Sequence, residues 1–337
     1  MLQNFNYIYS IFFSLLLLNG FYNISVKSLE FSSRILKIKD NFLLTIINFF
    51  VYINLISIIT FNFSLYFGLN HNLLKFISIL IILIGFYKPS YLIFIIKNFF
   101  KKKNFKINLI YLILLFYFLL TLSPISDPDT LDYHFTVPFY QMIFQDAIFP
   151  NYWLTSQLAG AGEALFSYGI SIGAIHFSQI LQFFSLFILI IFILNFKTDY
   201  YKFSERKKIY VCLSILLIPA IIFLVTTSKP QIFPLVSNFF ALMIALFYLP
   251  FKKKKNLITL YFLILFLIIS SILFKFSFLL SASLISILAF YQLIIRKYYY
   301  ELVLIPIILI SFIILPREIF EFINLNSNII YNFFNPV

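Results

Sequence analysis

The chain has 337 residues, of which 62% are hydrophobic and only 11% are charged, and its formal net charge is +13. Soluble globular domains are about half apolar and about a quarter charged, so this composition excludes a soluble enzyme, a disordered chain and a disulfide scaffold. A transmembrane helix needs about 20 mostly apolar residues. The composition therefore predicts an all-α, polytopic membrane protein that forms a single transmembrane domain over residues 1–337.

Ten apolar runs follow one another along the chain. In lipid, a continuous apolar run of this length indicates a helix rather than a strand. The runs cover residues 5–22, 41–67, 76–96, 107–123, 172–195, 209–227, 231–250, 256–274, 277–295 and 301–316. We therefore predict a helix bundle of about ten spans. The stretch 256–295 is twice the length of a span, which predicts two helices separated near Lys275.

Basic residues mark alternate loops. Twenty of the 25 Lys and Arg residues lie at 27–39, 97–106, 197–208, 252–255 and 296–297. The positive-inside rule places these loops in the cytoplasm and both termini outside. In such a protein basic residues report topology, and the sequence gives no reason to expect nucleic acid as a partner. Most acidic residues and all three histidines fall on the outer side. Either they take part in a reaction there, or they are simply the polar residues that any outer loop carries.

The connection 124–171 is the one large outer loop. It contains four of the twelve prolines and the single tryptophan, and its composition is not that of a flexible linker. Long loops of this kind often carry function. Its apolar and aromatic residues predict one or two short interfacial helices at the membrane surface.

The loop begins with three carboxylates and a histidine within eight residues: Asp127-Pro-Asp129-Thr-Leu-Asp132-Tyr-His134. Carboxylates this close repel one another, and such a group can supply a general base or bind a divalent cation such as Mg or Mn. The alternative is structural, since one aspartate before a helix is an ordinary N-cap.

A second acidic group, Glu163, follows in the small-residue segment Gly160-Ala-Gly162-Glu163. The sequence leaves three roles open for Glu163: a surface residue, a partner of the aspartate segment, or a ligand of a bound cation. Gly160 and Gly162 predict a turn. Gly169 and Gly173 form a G-x-x-x-G pattern, which favours close approach of helices.

Two isolated lysines, Lys229 and Lys275, lie at the outer ends of later helix pairs. Charges at membrane depth are expensive and commonly functional, although a lysine can also extend to lipid headgroups. Two such lysines opposite an acidic loop favour an anionic ligand.

These residues resemble the GT-C superfamily of membrane glycosyltransferases, which includes dolichyl-phosphate-mannose protein mannosyltransferases. Residues Asp129 to His134, followed by Pro138, are similar to the D-x-L-x-Y-H…P pattern of bacterial members. Lys229-Pro230 and Lys275 are similar to the later lysines of such chains. The likeness covers about 105–295. The chain departs from the family in three respects. Its acidic loop follows the fourth predicted span, whereas in the family it commonly follows the first. Gln231 stands where the family often has an aspartate, and the paired Asp-Glu of many members is absent.

The resemblance implies a GT-C-like core at 105–295, preceded by a three-helix addition at 1–104 and followed by a last span and outer tail at 296–337. It implies transfer of a sugar from a polyprenyl-phosphate donor to a glycan, lipid or protein acceptor at the periplasmic face of a bacterial inner membrane. Asp129 would be the base, and Asp127, Asp132 or Glu163 would tune it or hold a metal. His134 would orient the base or bond to the donor, and Lys229 and Lys275 would bind the donor phosphate. Asp127, Asp129 and Glu163 are the candidate metal ligands, although no cofactor is required by the sequence.

Two other functions remain open at this point. A transporter or flippase would place ionisable groups near the middle of the membrane on broken helices. A noncatalytic protein of cell-envelope assembly would tolerate neutral residues at Asp129, Lys229 and Lys275 together.

Overall fold

The computed structural model describes residues 7–27, 41–87, 105–144, 160–196, 203–251 and 254–313. Every regular element in these ranges is helical, which confirms the all-α class. The α-helices of the described residues are α1 (Tyr7–Lys27), α2 (Asn41–Phe67), α3 (His71–Tyr87), α4 (Phe105–Thr121), α5 (Thr136–Phe144), α6 (Ala161–Ser171), α7 (Phe177–Asn195), α8 (Glu205–Leu216), α9 (Pro219–Thr226), α10 (Ile232–Phe247), α11 (Lys254–Phe274), α12 (Leu279–Ile295) and α13 (Tyr299–Ile313). A π-helical turn, Thr130–His134, precedes α5, and 3-10 turns at Leu249–Phe251 and Phe276–Phe278 flank α11.

Five helical segments in the described ranges are long and apolar enough to cross a membrane: Tyr7–Lys27, Leu43–Phe67, Phe177–Asn195, Leu257–Phe274 and Phe276–Ile295. A sixth span results if α8 and α9 are taken as one bent helix. The helices α3, α4, α10 and α13 are apolar but shorter. Together these helices indicate a multi-pass membrane protein.

The packing distinguishes a central helix from peripheral ones. Over 18 residues of α7, 94% are buried, whereas over 18 residues of the segment Phe276–Ile295 only 22% are buried. The exposed surface of α12 is apolar and includes Leu280, Leu284 and Ile287. A continuous apolar outer face of this kind suits contact with lipid rather than water.

The α6 helix lies in the interior of the bundle, although residues 161–171 are expected to belong to the outer loop. Ten of its eleven residues are buried, and it packs against α2, α3, α7 and α11. Its small residues, such as Ala161, Gly162 and Ala164, allow these neighbours to approach closely. The shorter α5 helix fits the expectation better, because Ile143 and Phe144 are exposed.

The sequence predicts one of two breaks between helices and not the other. The predicted separation near Lys275 is confirmed, since α11 ends at Phe274. The run 209–227 is expected as one continuous helix, whereas it consists of two helices, α8 and α9, that meet at 64°. Pro219 begins α9 and cannot donate a backbone hydrogen bond. The Ile215 carbonyl, four residues earlier, accepts the Ile218 N–H instead. The next carbonyl, that of Leu216, accepts a hydrogen bond from the Tyr117 hydroxyl of α4.

The predicted G-x-x-x-G contact holds for only one of its glycines. A Cβ on Gly169 would lie 2.7 Å from the Ala174 carbonyl oxygen and from Phe177 Cβ, so this position requires glycine for close packing. Gly173 lies beyond α6 in a turn with φ 75°, a left-handed conformation that favours glycine. The second glycine therefore shapes the α6–α7 turn and does not bring two helices together.

Several predicted features lie outside the described residues. They include most of the basic residues at 27–39, 97–106, 197–208 and 252–255, the single Trp153, Asp146, and the tail beyond Ile313. The N-terminal helices are described and join the rest of the bundle closely: α1 packs on α3 and α7, and α2 packs on α6 and α11.

Candidate functional site

The acidic segment begins as a helix cap. Asp127 Oδ2 accepts hydrogen bonds from the Thr130 backbone N–H at 2.9 Å and from the Thr130 hydroxyl at 2.8 Å. The Leu131 N–H donates to the Asp127 carbonyl, so a helical turn starts here, with Pro128 in its first position. The structural alternative is therefore correct for Asp127, which caps the turn that carries the other acidic residues.

Lys229 joins two of the three aspartates. Its Nζ lies 2.7 Å from Asp129 Oδ2 and 3.5 Å from Asp127 Oδ2. The lysine side chain is 10% exposed, whereas that of Asp129 is 63% exposed. The ammonium group also lies 4.9 Å from the centre of the Phe223 ring on α9. A buried cation is thus held between carboxylates at the end of an apolar bundle, and one of these carboxylates faces outward.

The electrostatics of Asp129 follow from this contact. The hydrogen bond from Lys229, together with the lysine charge, holds the pKa of the Asp129 carboxyl below its ordinary value of 3.8. The charge of Lys275 acts in the same direction. Asp129 is therefore a carboxylate at neutral pH, and Lys229 stabilises that form.

Glu163 and His134 form a second pair. His134 Nδ1 lies 2.5 Å from Glu163 Oε1, and both side chains are almost fully buried. The other carboxylate oxygen accepts the backbone N–H of Gly160 at 2.7 Å, as the N3 glutamate of a capping box does. The sequence left Glu163 with three alternatives, and the structure supplies a partner from the acidic segment.

Two glycines bring three separate segments to this site. A Cβ on Gly162 would lie 2.3 Å from Pro230 Cβ, directly after Lys229. A Cβ on Gly160 would lie 2.3 Å from the carbonyl oxygen of Leu273, two residues before Lys275. The start of α6 therefore packs against both lysine-bearing junctions, which only a residue without a side chain allows. The predicted turn is an N-cap at Gly160, while Gly162 lies inside α6.

Lys275 lies at the same end of the bundle, between α11 and α12. It is half-buried, and this burial lowers its pKa, while the negative charges of Glu163 and Asp129 oppose the shift. The structure thus places both predicted lysines within electrostatic range of the acidic residues. Lys229 contacts them directly, and Lys275 influences them through charge.

The remaining acidic residue, Asp132, is exposed on the π-helical turn. Burial raises the pKa of the neighbouring Tyr133 to about 12, and the nearby carboxylates contribute to the shift. Tyr133 is therefore a neutral hydroxyl at physiological pH.

The described residues contain no group of three or more His, Cys, Asp or Glu side chains arranged to hold a metal ion. Both oxygens of Glu163 already accept hydrogen bonds from the protein. In this structure Asp127, Asp129 and Glu163 do not share a common point.

Sequence reasoning missed the residues that fix the Lys229 segment. Gln179 Nε2 donates to the Thr226 carbonyl at 2.6 Å, and Gln182 Oε1 accepts the Phe233 N–H at 2.9 Å. These bonds hold the chain on both sides of the lysine against α7. The signal was present, because two glutamines three residues apart in an apolar helix lie on one face.

Comparisons with known proteins identify a family and nothing more specific. No curated protein and no solved structure matches the chain. A sequence family described as the DUF1420 N-terminal domain matches residues 5–337. Since the match extends over almost all of the sequence, the chain belongs to the DUF1420 N-terminal domain family.

Proposed function

We propose that this protein transfers a sugar from a polyprenyl-phosphate donor to an acceptor at the periplasmic face of a bacterial inner membrane, through a bundle of about ten spans. The proposal keeps the resemblance to GT-C glycosyltransferases. In such a transfer the bond between the sugar C1 and the phosphate oxygen breaks, and negative charge develops on the phosphate. A cation placed beside that oxygen stabilises the transition state more than the ground state.

The observation that carries the proposal is the position of Lys229. Its ammonium group is buried, bonded to Asp129 and anchored by a segment that α7 holds on both sides. An anionic headgroup that enters beside Asp129 would meet Lys229 and, further along the same end, Lys275. The apolar outer faces of the surrounding helices offer a place for the prenyl chain.

The other residues have supporting roles in this proposal. Asp127 and Asp129 position the Lys229 ammonium, and Asp129 and His134 are the two candidates for the group that accepts the proton of the acceptor. Asp132 is exposed at the entrance, where it would contact an acceptor. A divalent cation such as Mg or Mn would have to bind together with the donor phosphate, since the described carboxylates do not form a site by themselves.

The experiment uses the full chain purified in detergent, with a panel of polyprenyl-phosphate mannose, glucose and galactose, and follows loss of the donor. Asp129→Asn lowers transfer by about 100-fold or more while membrane insertion stays intact. Lys229→Met lowers it by about 100-fold to 1000-fold, because the leaving phosphate loses its cation. Lys75→Met is the matched control, since Lys75 is an exposed lysine on α3. Failure of the wild-type protein to consume any donor would exclude the proposal for these sugars.

One observation favours the transporter alternative. The 64° break between α8 and α9 is the kind of discontinuity that transporters use at their binding sites. However, the carbonyls at this break are bonded within the protein, Ile215 by the Ile218 N–H and Leu216 by Tyr117. The charged residues cluster at the helix ends instead. Transport of a polyprenyl-phosphate lipid across vesicles without loss of the sugar would favour this alternative.

A further inference from the structure

His134 has a buried ring nitrogen for which the described residues provide no partner. The residue is 1% exposed, and its Nε2 makes no hydrogen bond within the described part of the chain. Leaving a buried polar atom unsatisfied costs about 1–3 kcal/mol. At a site with charged groups, such an atom is a candidate contact for a substrate.

The partner on the other ring nitrogen decides what Nε2 can do. Glu163 Oε1 lies 2.5 Å from Nδ1, and Oε2 accepts the Gly160 N–H. A carboxylate only accepts hydrogen bonds. Nδ1 therefore carries a hydrogen, and in the neutral form of the ring the free lone pair is on Nε2. A carboxylate that orients an imidazole in this way also stabilises the imidazolium formed when Nε2 takes a proton.

The surroundings of His134 are those of the proposed reaction. Glu163 is bonded to the ring, the Tyr133 ring lies against it, and Asp129 interacts with it electrostatically. Lys229 pairs with Asp127 and Asp129, and Lys275 interacts with Glu163 and Asp129. The other titratable groups on the π-helical turn and α5 are Asp132 and Tyr140. Asp129 is less suited to accept a proton, because Lys229 is bonded to it and it is mostly exposed.

We infer that His134, oriented by Glu163, is the residue that accepts the proton of the acceptor, and that the acceptor is a hydroxyl compound. The inference rests on the proposed sugar transfer and assigns Asp129 to the positioning of Lys229. The acceptor oxygen forms a bond to the sugar C1 and its proton moves to Nε2. The C1–O bond to phosphate breaks, and the phosphate leaves with the electron pair beside Lys229.

The first test does not depend on activity. The chain has only three histidines, so nitrogen NMR of histidine-labelled protein in detergent can be assigned with His71→Gln, His134→Gln and His176→Gln. The spectrum should show neutral His134 with its hydrogen on Nδ1, and Glu163→Gln should weaken that preference. A ring that carries its hydrogen on Nε2 in the wild-type protein would overturn the inference, whatever the activity.

The second test measures donor loss against pH with water as the acceptor, using the same three polyprenyl-phosphate sugars. Wild-type kcat/KM should fall at acid pH as Nε2 becomes protonated. His134→Asn should lower kcat by about 100-fold to 10,000-fold, and its residual rate should lack the fall at acid pH. Asp129→Asn should retain that fall. Added imidazole should restore part of the rate of His134→Ala.

The matched control is His176→Asn. His176 is equally buried and its Nδ1 is also hydrogen-bonded, but to the Ser10 hydroxyl. This variant should keep the wild-type pH profile. An unchanged profile in His134→Asn would overturn the base role while leaving sugar transfer intact. If no protein in the series consumes the donor, both sugar transfer and the base role are overturned.

Discussion

Two buried histidines at the same end of the bundle differ in what holds them. His134 and His176 are each 1% exposed, and each has an Nε2 without a hydrogen-bond partner in the described ranges. The Nδ1 of His134 meets the Glu163 carboxylate, whereas that of His176 lies 2.8 Å from the Ser10 hydroxyl. A hydroxyl can donate or accept, so only the carboxylate fixes the hydrogen position on its ring.

The surroundings of the two rings differ in the same way. The His134 ring is bonded to Glu163 and interacts with Asp129, and both of these carboxylates interact with lysines. The His176 ring meets Tyr7 edge-on, with the ring centroids 4.9 Å apart, and its Nδ1 lies beside the Ser10 hydroxyl. In its neutral setting the buried His176 side chain has a packing role at the start of α7, where it makes no cap hydrogen bond. A charged setting provides both a means to take up a proton and a means to stabilise the charge that results.

The largest expected effect comes from separating the segments that build the charged site. Gly162→Ala places a Cβ against the rigid ring of Pro230, and overpacking of this kind costs about 1–3 kcal/mol. The displacement should also move Lys229 and abolish sugar transfer. Thermal unfolding in detergent and donor loss are the measurements.

The control for this variant is Gly85→Ala, whose Cβ would lie 2.3 Å from the Leu16 carbonyl at the α1–α3 contact. It should lower thermal stability by a similar amount and leave the transfer rate per folded molecule unchanged. Equal loss of transfer in both variants would show that the Gly162 contact has no special relation to the site.

A smaller effect separates the two histidine partners. Glu163→Gln removes a charged acceptor and leaves one of two buried donors unsatisfied, which should cost about 1.5–3 kcal/mol of unfolding free energy. Ser10→Ala removes a neutral partner of His176 and should cost about 0.5–1.5 kcal/mol. Unfolding in mixed detergent micelles measures both. A larger loss for Ser10→Ala would contradict the assignment of the charged setting to His134.

The smallest effect is the pH dependence of the Asp129 ion pair. Because Lys229 lowers the pKa of Asp129 in the folded protein, the stabilisation is fully present above the ordinary value of 3.8 and is lost as pH falls through the lower folded value. The difference in stability between wild type and Asp129→Asn should stay constant from neutral pH to about 4 and shrink below it. Since Asp129 is mostly exposed, the difference itself should be small.

The sequence predicted the helices better than their breaks. Apolar runs of span length identify the bundle and the separation at Lys275, because length and hydropathy are local properties. The bend at Pro219 was missed because a proline can sit in a membrane helix when other groups bond the carbonyls at the break. One of these groups is Tyr117, which bonds the Leu216 carbonyl from about a hundred residues away. The burial of α6 was missed because the run 161–171 is short and rich in small residues, as many surface helices are.

The site was predictable as a list of charged residues but not as an arrangement. Charge in an apolar chain is conspicuous, so Asp129, Glu163, Lys229 and Lys275 could all be selected from the sequence. Their pairing depends on contacts between distant segments, such as Gly162 on Pro230, which no local pattern encodes. The exposure of Asp129 and the burial of His134 likewise follow only from the packing.

The central claim is that Lys229 binds the phosphate of a polyprenyl lipid. The most direct measurement is the affinity of the purified protein for a short-chain polyprenyl monophosphate, the product of the proposed transfer, in wild type, Lys229→Met and Lys75→Met. Loss of a charge-assisted hydrogen bond worth about 1.5–3 kcal/mol should raise Kd by about 10-fold to 100-fold for Lys229→Met and leave it unchanged for Lys75→Met. Equal affinity in all three proteins would contradict the account.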